Sequence, residues 1–410
     1  MVTLRRRSLE AGLLLAFLVL LTARSVILPG WASQLAPLLA VGLMVVGALP
    51  HVNRLVLPPI GLGVALLVAI YVTSSVTTSG NTDYFFRSVS VGFLWLVSAI
   101  VGANLYPKEK SLFLTAILLI CLLELVFSFA ETILGISGVR TVISADQAGQ
   151  YIVRPNTILG EWTNRAQGSI GYPIPLAHLF SIGIAVALFS RLRIRSIWRI
   201  ASSLGFLVGI LLTGTRSGIA AAVAVVALGL IASLRASFTV FKLLVLVVAA
   251  LGAVLMAALF SSEEKFSSDG SFTHRVGVVS SVGEILKLPP LQIFFGSGFN
   301  SHEKLFTEGY FGTQGTFAVD NAFVTILIYT GIFGLLIFLA LIAGSIGRGE
   351  PVIVAVVGAF LAFGLSYDFI NWHLMGFMLF IFLGLSVGRM SPAFSRFEEN
   401  RITFPSIGTS

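Results

Sequence analysis

The chain carries little charge: Asp, Glu, Lys and Arg make up 11% of its 410 residues, against roughly 25% in a soluble globular chain. A water-exposed, charge-covered surface is therefore excluded. There is one cysteine, Cys121, so neither an intrachain disulfide nor a cysteine-based metal cluster can form. The five histidines, His51, His178, His274, His302 and His373, are scattered. No two have the short spacing of a metal-binding pair, and there is no HExxH. No GxxxxGK[ST] loop signals ATP hydrolysis. No cofactor and no metal are expected. The net charge of +8 does not point to nucleic acid, because the basic residues sit in short gaps between apolar runs, as orientation signals do.

What the chain has in quantity is hydrocarbon. Hydrophobic residues make up 56% of it, in unbroken runs rich in Leu, Ala, Val and Ile. A transmembrane barrel would instead alternate in segments of about ten residues. The pattern predicts an all-α polytopic membrane protein with about 12 transmembrane helices, since a helix satisfies its own backbone inside lipid. The runs fall near 9–23, 34–49, 55–72, 85–105, 111–129 and 170–189. Further runs end near 212, 232 and 260, and the last three cover 317–342, 351–365 and a stretch ending near 388. Arg5, Arg6 and Arg7 precede the first run and no small-residue cleavage site follows it, which predicts an uncleaved first helix.

The whole of 1–410 reads as a single membrane domain with two long polar interruptions, 131–169 and 261–317. The second contains an amphipathic pattern over 272–288, stopped by Pro289 and Pro290. With the N-terminus in the cytoplasm, alternation places Arg54, Lys108, Lys110, the basic cluster from Arg191 to Arg199, Arg235, Lys242, Arg348 and the C-terminal tail inside. Both long loops then fall outside and both termini inside.

Three stretches carry candidate chemistry, and two further features accompany them. Thr213-Gly214-Thr215-Arg216-Ser217-Gly218 breaks an apolar run; free amides at a helix start beside a guanidinium suit an anion, and an ordinary interfacial turn with a snorkelling arginine suits the same residues. Phe295-Gly296-Ser297-Gly298-Phe299-Asn300 is either an anion-binding glycine turn or a tight turn. Asp320-Asn321 stands at the mouth of the run 317–342; Asp320 there either caps the helix or takes a proton from a hydroxyl. Tyr367, Asp368, Asn371, Trp372 and His373 mark a short turn. Glu124, inside an apolar run, reads as a helix–helix hydrogen bond or an interfacial residue.

Taken together, three blocks resemble the bacterial O-antigen ligase and polysaccharide polymerase membrane proteins. They are Thr215-Arg216-Ser217-Gly218; His274-Arg275 with the paired prolines and Phe295-Gly296-Ser297-Gly298; and Val319-Asp320-Asn321 followed by Tyr329-Thr330-Gly331-Ile332-Phe333-Gly334-Leu335-Leu336. They span roughly 205 to 340 of the chain. The resemblance implies a fold akin to integral-membrane (GT-C-like) glycosyltransferases and a polyprenyl-diphosphate-linked glycan as substrate, handled at the outer face of the bacterial plasma membrane. It implies diphosphate binding by Arg216 and Arg275, with Arg154 and Arg165 as further helpers, and glycan binding by Asn321, His274, Gly298 and Asn300. Asp320 is the first choice of catalytic base, followed by His302 and Glu303. Ligases present His-Asn where this chain has Asp320-Asn321, and that departure favours a polymerase that joins repeat units over a ligase that passes the glycan to another acceptor. Membrane lipid is the other expected partner, and a chain-length regulator is compatible with the reading. A transporter or flippase is the competing class, but it would show intramembrane polar groups and discontinuous helices in both halves.

Overall fold

Leu-, Ala- and Val-rich runs bounded by Pro, Gly and polar residues become helices because nothing else closes their backbone hydrogen bonds in an apolar setting. The computed structural model describes residues 2–22, 30–49, 59–79, 82–135, 155–156, 158–234, 277–310 and 319–387. The first helices are α1 (Val2–Thr22), α2 (Gly30–Ala48), α3 (Pro59–Ser79), α4 (Thr82–Asn104) and α5 (Pro107–Thr132). A small antiparallel pair, β1 (Pro155–Asn156) and β2 (Gly160–Asn164), precedes α6 (Pro173–Phe189), α7 (Ser196–Leu212) and α8 (Arg216–Ser233). Three short helices follow: α9 (Val282–Ile285), α10 (Pro290–Phe295) and α11 (Ser301–Thr307). The chain then continues through α12 (Ala322–Arg348), α13 (Pro351–Gly364) and α14 (His373–Val387).

The protein is thus all-α in architecture and multi-pass: α3, α4, α5, α8 and α12 are each long and apolar enough to cross a membrane, and shorter apolar helices accompany them. Each expected apolar run coincides with a helix except the one ending near 260, which lies outside the described residues. The expected amphipathic helix over 272–288 is described from 277 onward. There residues 277–280 and α9 are both helical, separated by a turn at Ser281, and the helical stretch ends before Pro289, so the expectation holds in shorter, interrupted form. Pro290 then starts α10 at its first helical position, where its missing N–H costs nothing.

Three of the shorter helices lie innermost. Helices α6, α13 and α14 bury nearly all their side chains, with α4 packed on α14 and α8 on α13. An aromatic stack runs through this core: Phe380 on Trp95 at 5.2 Å, Trp95 on Tyr71 at 5.1 Å, and Tyr71 on Tyr329 at 5.9 Å between centroids. Two of the basic residues read as orientation signals have structural partners. Lys110 pairs with Glu350 at 3.0 Å. Arg199 donates to the carbonyls of Ala187, Leu188 and Ser190 and so closes the open C-terminal turn of α6. Glu124 joins α5 to the loop ahead of α6, accepting from the Ser169 amide at 2.9 Å and from its hydroxyl. Its neighbour Glu131 accepts from the amides of Gln167 and Gly168.

Helix α12 is broken at Gly331, which has φ +66° and ψ −169°. The break strips the carbonyls of Ile328 and Tyr329 of helical partners, and the segment after α10 supplies replacements. The Ser297 amide donates to Ile328 at 2.7 Å and the Gly298 amide to Tyr329 at 3.2 Å. A Cβ on Gly331 would meet the Phe294 carbonyl carbon at 2.3 Å. Gly331→Ala therefore combines a left-handed backbone with a steric clash. It should lower stability by at least about 1–3 kcal/mol, read as a lower thermal midpoint in detergent; an unchanged midpoint would show that the break does not need glycine.

Candidate functional site

One end of the helix bundle holds a cavity of about 500 Å³. Part of its lining is hydrocarbon, including Leu20 and Leu21 from α1, Val91 from α4, and Ile170 and Ile174 ahead of and within α6. The polar part of the lining comes from segments far apart in sequence. Asn300 and His302 arrive with α11, Asp320 precedes α12, and Asp368, Asn371 and His373 come from the turn between α13 and α14. Arg87, one turn before Val91 on α4, and the aromatic pair Tyr172 and Trp372, with centroids 5.7 Å apart, complete it.

The polar residues are wired around Tyr329. Nδ2 of Asn371 donates to the Tyr329 hydroxyl at 3.0 Å and to Asp368 at 2.5 Å. The Tyr329 hydroxyl lies 3.1 Å from Nδ1 of His302. Burial lowers the His302 pKa, against a raising effect from Glu303, which keeps the ring neutral. Asp368 also accepts from the Ile370 amide at 3.0 Å. Burial raises its carboxyl to about 7, although the hydrogen bonds from Ile370 and Asn371 pull the other way. Beneath this turn, the hydroxyl of Tyr367 meets Nδ1 of His178 at 2.7 Å, and that imidazole stacks on Phe363 at 4.4 Å.

The residues singled out in the sequence divide into three groups. Asp320, His302 and Asn300 line the cavity. Asn300 is left-handed, φ 58°, and its amide donates to the Tyr84 hydroxyl at 3.1 Å. Asn321 adjoins the cavity, but its Oδ1 accepts the amides of Phe323 at 3.0 Å and Val324 at 3.1 Å. Asn321, not Asp320, is therefore the cap of α12.

The second group lies in described parts of the chain but is not among the cavity's lining residues. Glu303 is exposed on α11. Gly298 is spent on packing: its amide meets Tyr329, and a Cβ there would sit 2.4 Å from Cα of Ser75. Arg165 clamps the break before α8, donating from Nε to the Thr213 carbonyl at 2.7 Å and from Nη2 to the Thr215 hydroxyl at 3.1 Å. Asn156 holds the same break through Leu211 and Leu212. Arg216 is exposed at the first position of α8. The third group, Arg154, His274 and Arg275, lies outside the described residues. Asp368, Asn371, His373 and Arg87 were not legible as site residues, although the density of polar and aromatic types in 367–373 between two apolar runs was a usable signal.

Bundle and cavity together define a multi-pass membrane protein with a polar chamber at one end, walled partly by hydrocarbon. Residues 200–339 match the Wzy_C family, described as O-Antigen ligase, so the chain carries that family's domain there. The match supports an enzymatic role in the transfer of lipid-linked glycans. No curated protein matches the chain.

The Asp368 environment has a thermodynamic consequence. Its folded value is raised, so between pH 3.8 and about 7 the folded chain holds a proton that the unfolded chain has released. Stability therefore falls as pH rises through that window. Thermal unfolding at about pH 5 and about pH 8 should show a loss for the parent that is smaller for Asp368→Asn; equal losses in the two proteins would contradict a raised value.

Proposed function

We propose that this cavity is the reaction chamber of a glycosyltransferase that moves a glycan from a polyprenyl-diphosphate carrier to an acceptor hydroxyl. The observation that carries the reading is a single chamber lined by hydrocarbon and by two carboxylates, in a chain with an O-Antigen ligase match over 200–339. The acceptor oxygen attacks the anomeric carbon. The bond from that carbon to the diphosphate oxygen breaks, and the carrier diphosphate leaves with the electron pair. The hydroxyl proton passes to a carboxylate. Asp368, raised to about 7, is poised for that transfer at neutral pH, and Asp320 orients the sugar. The donor already contains the bond energy, so no nucleotide hydrolysis is required. The same reading gives the chain about 12 crossings and a GT-C-like fold. The cavity then opens outside, because the exposed Arg191, Arg193 and Arg195 lie at the opposite end of α6 and α7.

Between the two transfer reactions, ligase is favoured. The family match carries that description. The argument for a polymerase rested on Asp320 standing where a histidine would be, yet His302 and His373 both line the same cavity. Glycans from a deletion strain discriminate: full-length polymer stranded on carrier lipid supports the ligase, and single repeat units support the polymerase. Asp368→Asn and Asp320→Asn keep shape while removing charge. Purified variants assayed with lipid-linked glycan and acceptor should keep normal abundance. Asp368→Asn should lose roughly 10²-fold or more in turnover, with the Asp320→Asn loss appearing chiefly as weaker acceptor use. Parent-like turnover in both would remove the carboxylates from the chemistry.

A further inference from the structure

We infer that Arg87, on α4, is the anion-binding residue of the cavity and takes a phosphate group of a lipid diphosphate. Arg87 lies outside the region that matches the O-Antigen ligase family. Its Nε is buried without a hydrogen-bond partner, and among the described residues its guanidinium makes no ion pair. Arg87 as a whole is half-buried, but a buried donor nitrogen without an acceptor is costly to keep. Other cations in the bundle do find partners, as Lys110 and Arg199 show. Arg87 stands out because it opens onto the cavity.

The place also fits the ligand. Arg87 lies one helical turn from Val91, and the cavity it lines takes in hydrocarbon (Leu20, Leu21) as well as polar Asn300, His302 and Asp320. A lipid diphosphate needs a cation in a cavity that offers both kinds of lining, and the planar guanidinium fork matches phosphate oxygens. Of the arginines first assigned to this task, Arg165 spends Nε on the Thr213 carbonyl and one terminal nitrogen on the Thr215 hydroxyl. Arg216 is not among the lining residues.

This inference rests on the glycosyltransferase reading for the identity of the lipid, and the test separates the two. The full chain in nanodiscs would be titrated with farnesyl diphosphate, farnesol and inorganic diphosphate. The parent should bind farnesyl diphosphate tightly, inorganic diphosphate weakly and farnesol not measurably. Arg87→Gln should weaken farnesyl diphosphate at least 10-fold and Arg87→Lys by less. Arg193→Gln, at the far end of the bundle, should bind as the parent does. Arg87→Met should unfold no earlier than the parent without ligand, because it removes an uncompensated charge; a lower midpoint would make Arg87 structural and overturn the inference. Parent-like binding by Arg87→Gln would overturn the inference alone and leave the glycosyltransferase reading standing. Equal binding of farnesol and farnesyl diphosphate would place the affinity in the tail and also overturn it. A parent that binds none of the three would remove the lipid-diphosphate donor, and both readings with it.

Discussion

The cavity depends on how the break at Gly331 is satisfied. Inside an apolar bundle, a helix can be interrupted only if the carbonyls it abandons find other donors. Here the amides of Ser297 and Gly298 serve Ile328 and Tyr329. The incoming segment has its own needs met by α3, where Ser74 donates to the Phe295 carbonyl and Ser75 accepts the Phe299 amide. Three segments distant in sequence are thereby locked together. The lock brings Asn300 and His302 against Tyr329, and so against the turn that bears Asp368. The glycines there act through backbone proximity, and their amides are not left for a ligand.

The positions of the helices were legible in the sequence because each is a local apolar run with local punctuation. The site was legible only in part. Asp320, His302 and Asn300 stand in or beside a conspicuous polar loop, and the cavity includes all three. Asp368 and Asn371 lie in a turn of a few residues between two apolar helices, and local pattern reads such a turn as a connector. What makes them a site is Tyr329, more than thirty residues earlier on another helix. Arg165 shows the reverse failure. An arginine near a glycine break reads as a phosphate ligand, but the same break exposes helix-end carbonyls, and one of them captured the guanidinium.

The histidine question turns on the same point. A family pattern places a side chain at a sequence position, whereas chemistry needs it at a point in space. Asp320 occupies the position, and His302 reaches the chamber from α11, its Nδ1 3.1 Å from the Tyr329 hydroxyl. Asn321 takes the capping work, accepting two helix amides. The helix start therefore does not depend on the Asp320 carboxylate, which lines the cavity.

Charge balance then links the two halves of the chamber. A diphosphate entering a cavity that already holds Asp320 and Asp368 would, by itself, drive their proton affinity upward, since like charges disfavour ionisation. Asp368 already stands near neutrality through burial. Pushed higher, it would stay protonated and could not accept the hydroxyl proton. A fixed cation in the same low-dielectric space offsets the incoming charge and keeps that carboxyl within its working range. If Arg87 takes the phosphate, it meets this requirement because no carboxylate among the described residues pairs with it: an arginine already paired with Asp368 would hold that group ionised at rest and would have less to offer the donor. A cation without a carboxylate partner would let phosphate binding and proton transfer share one site.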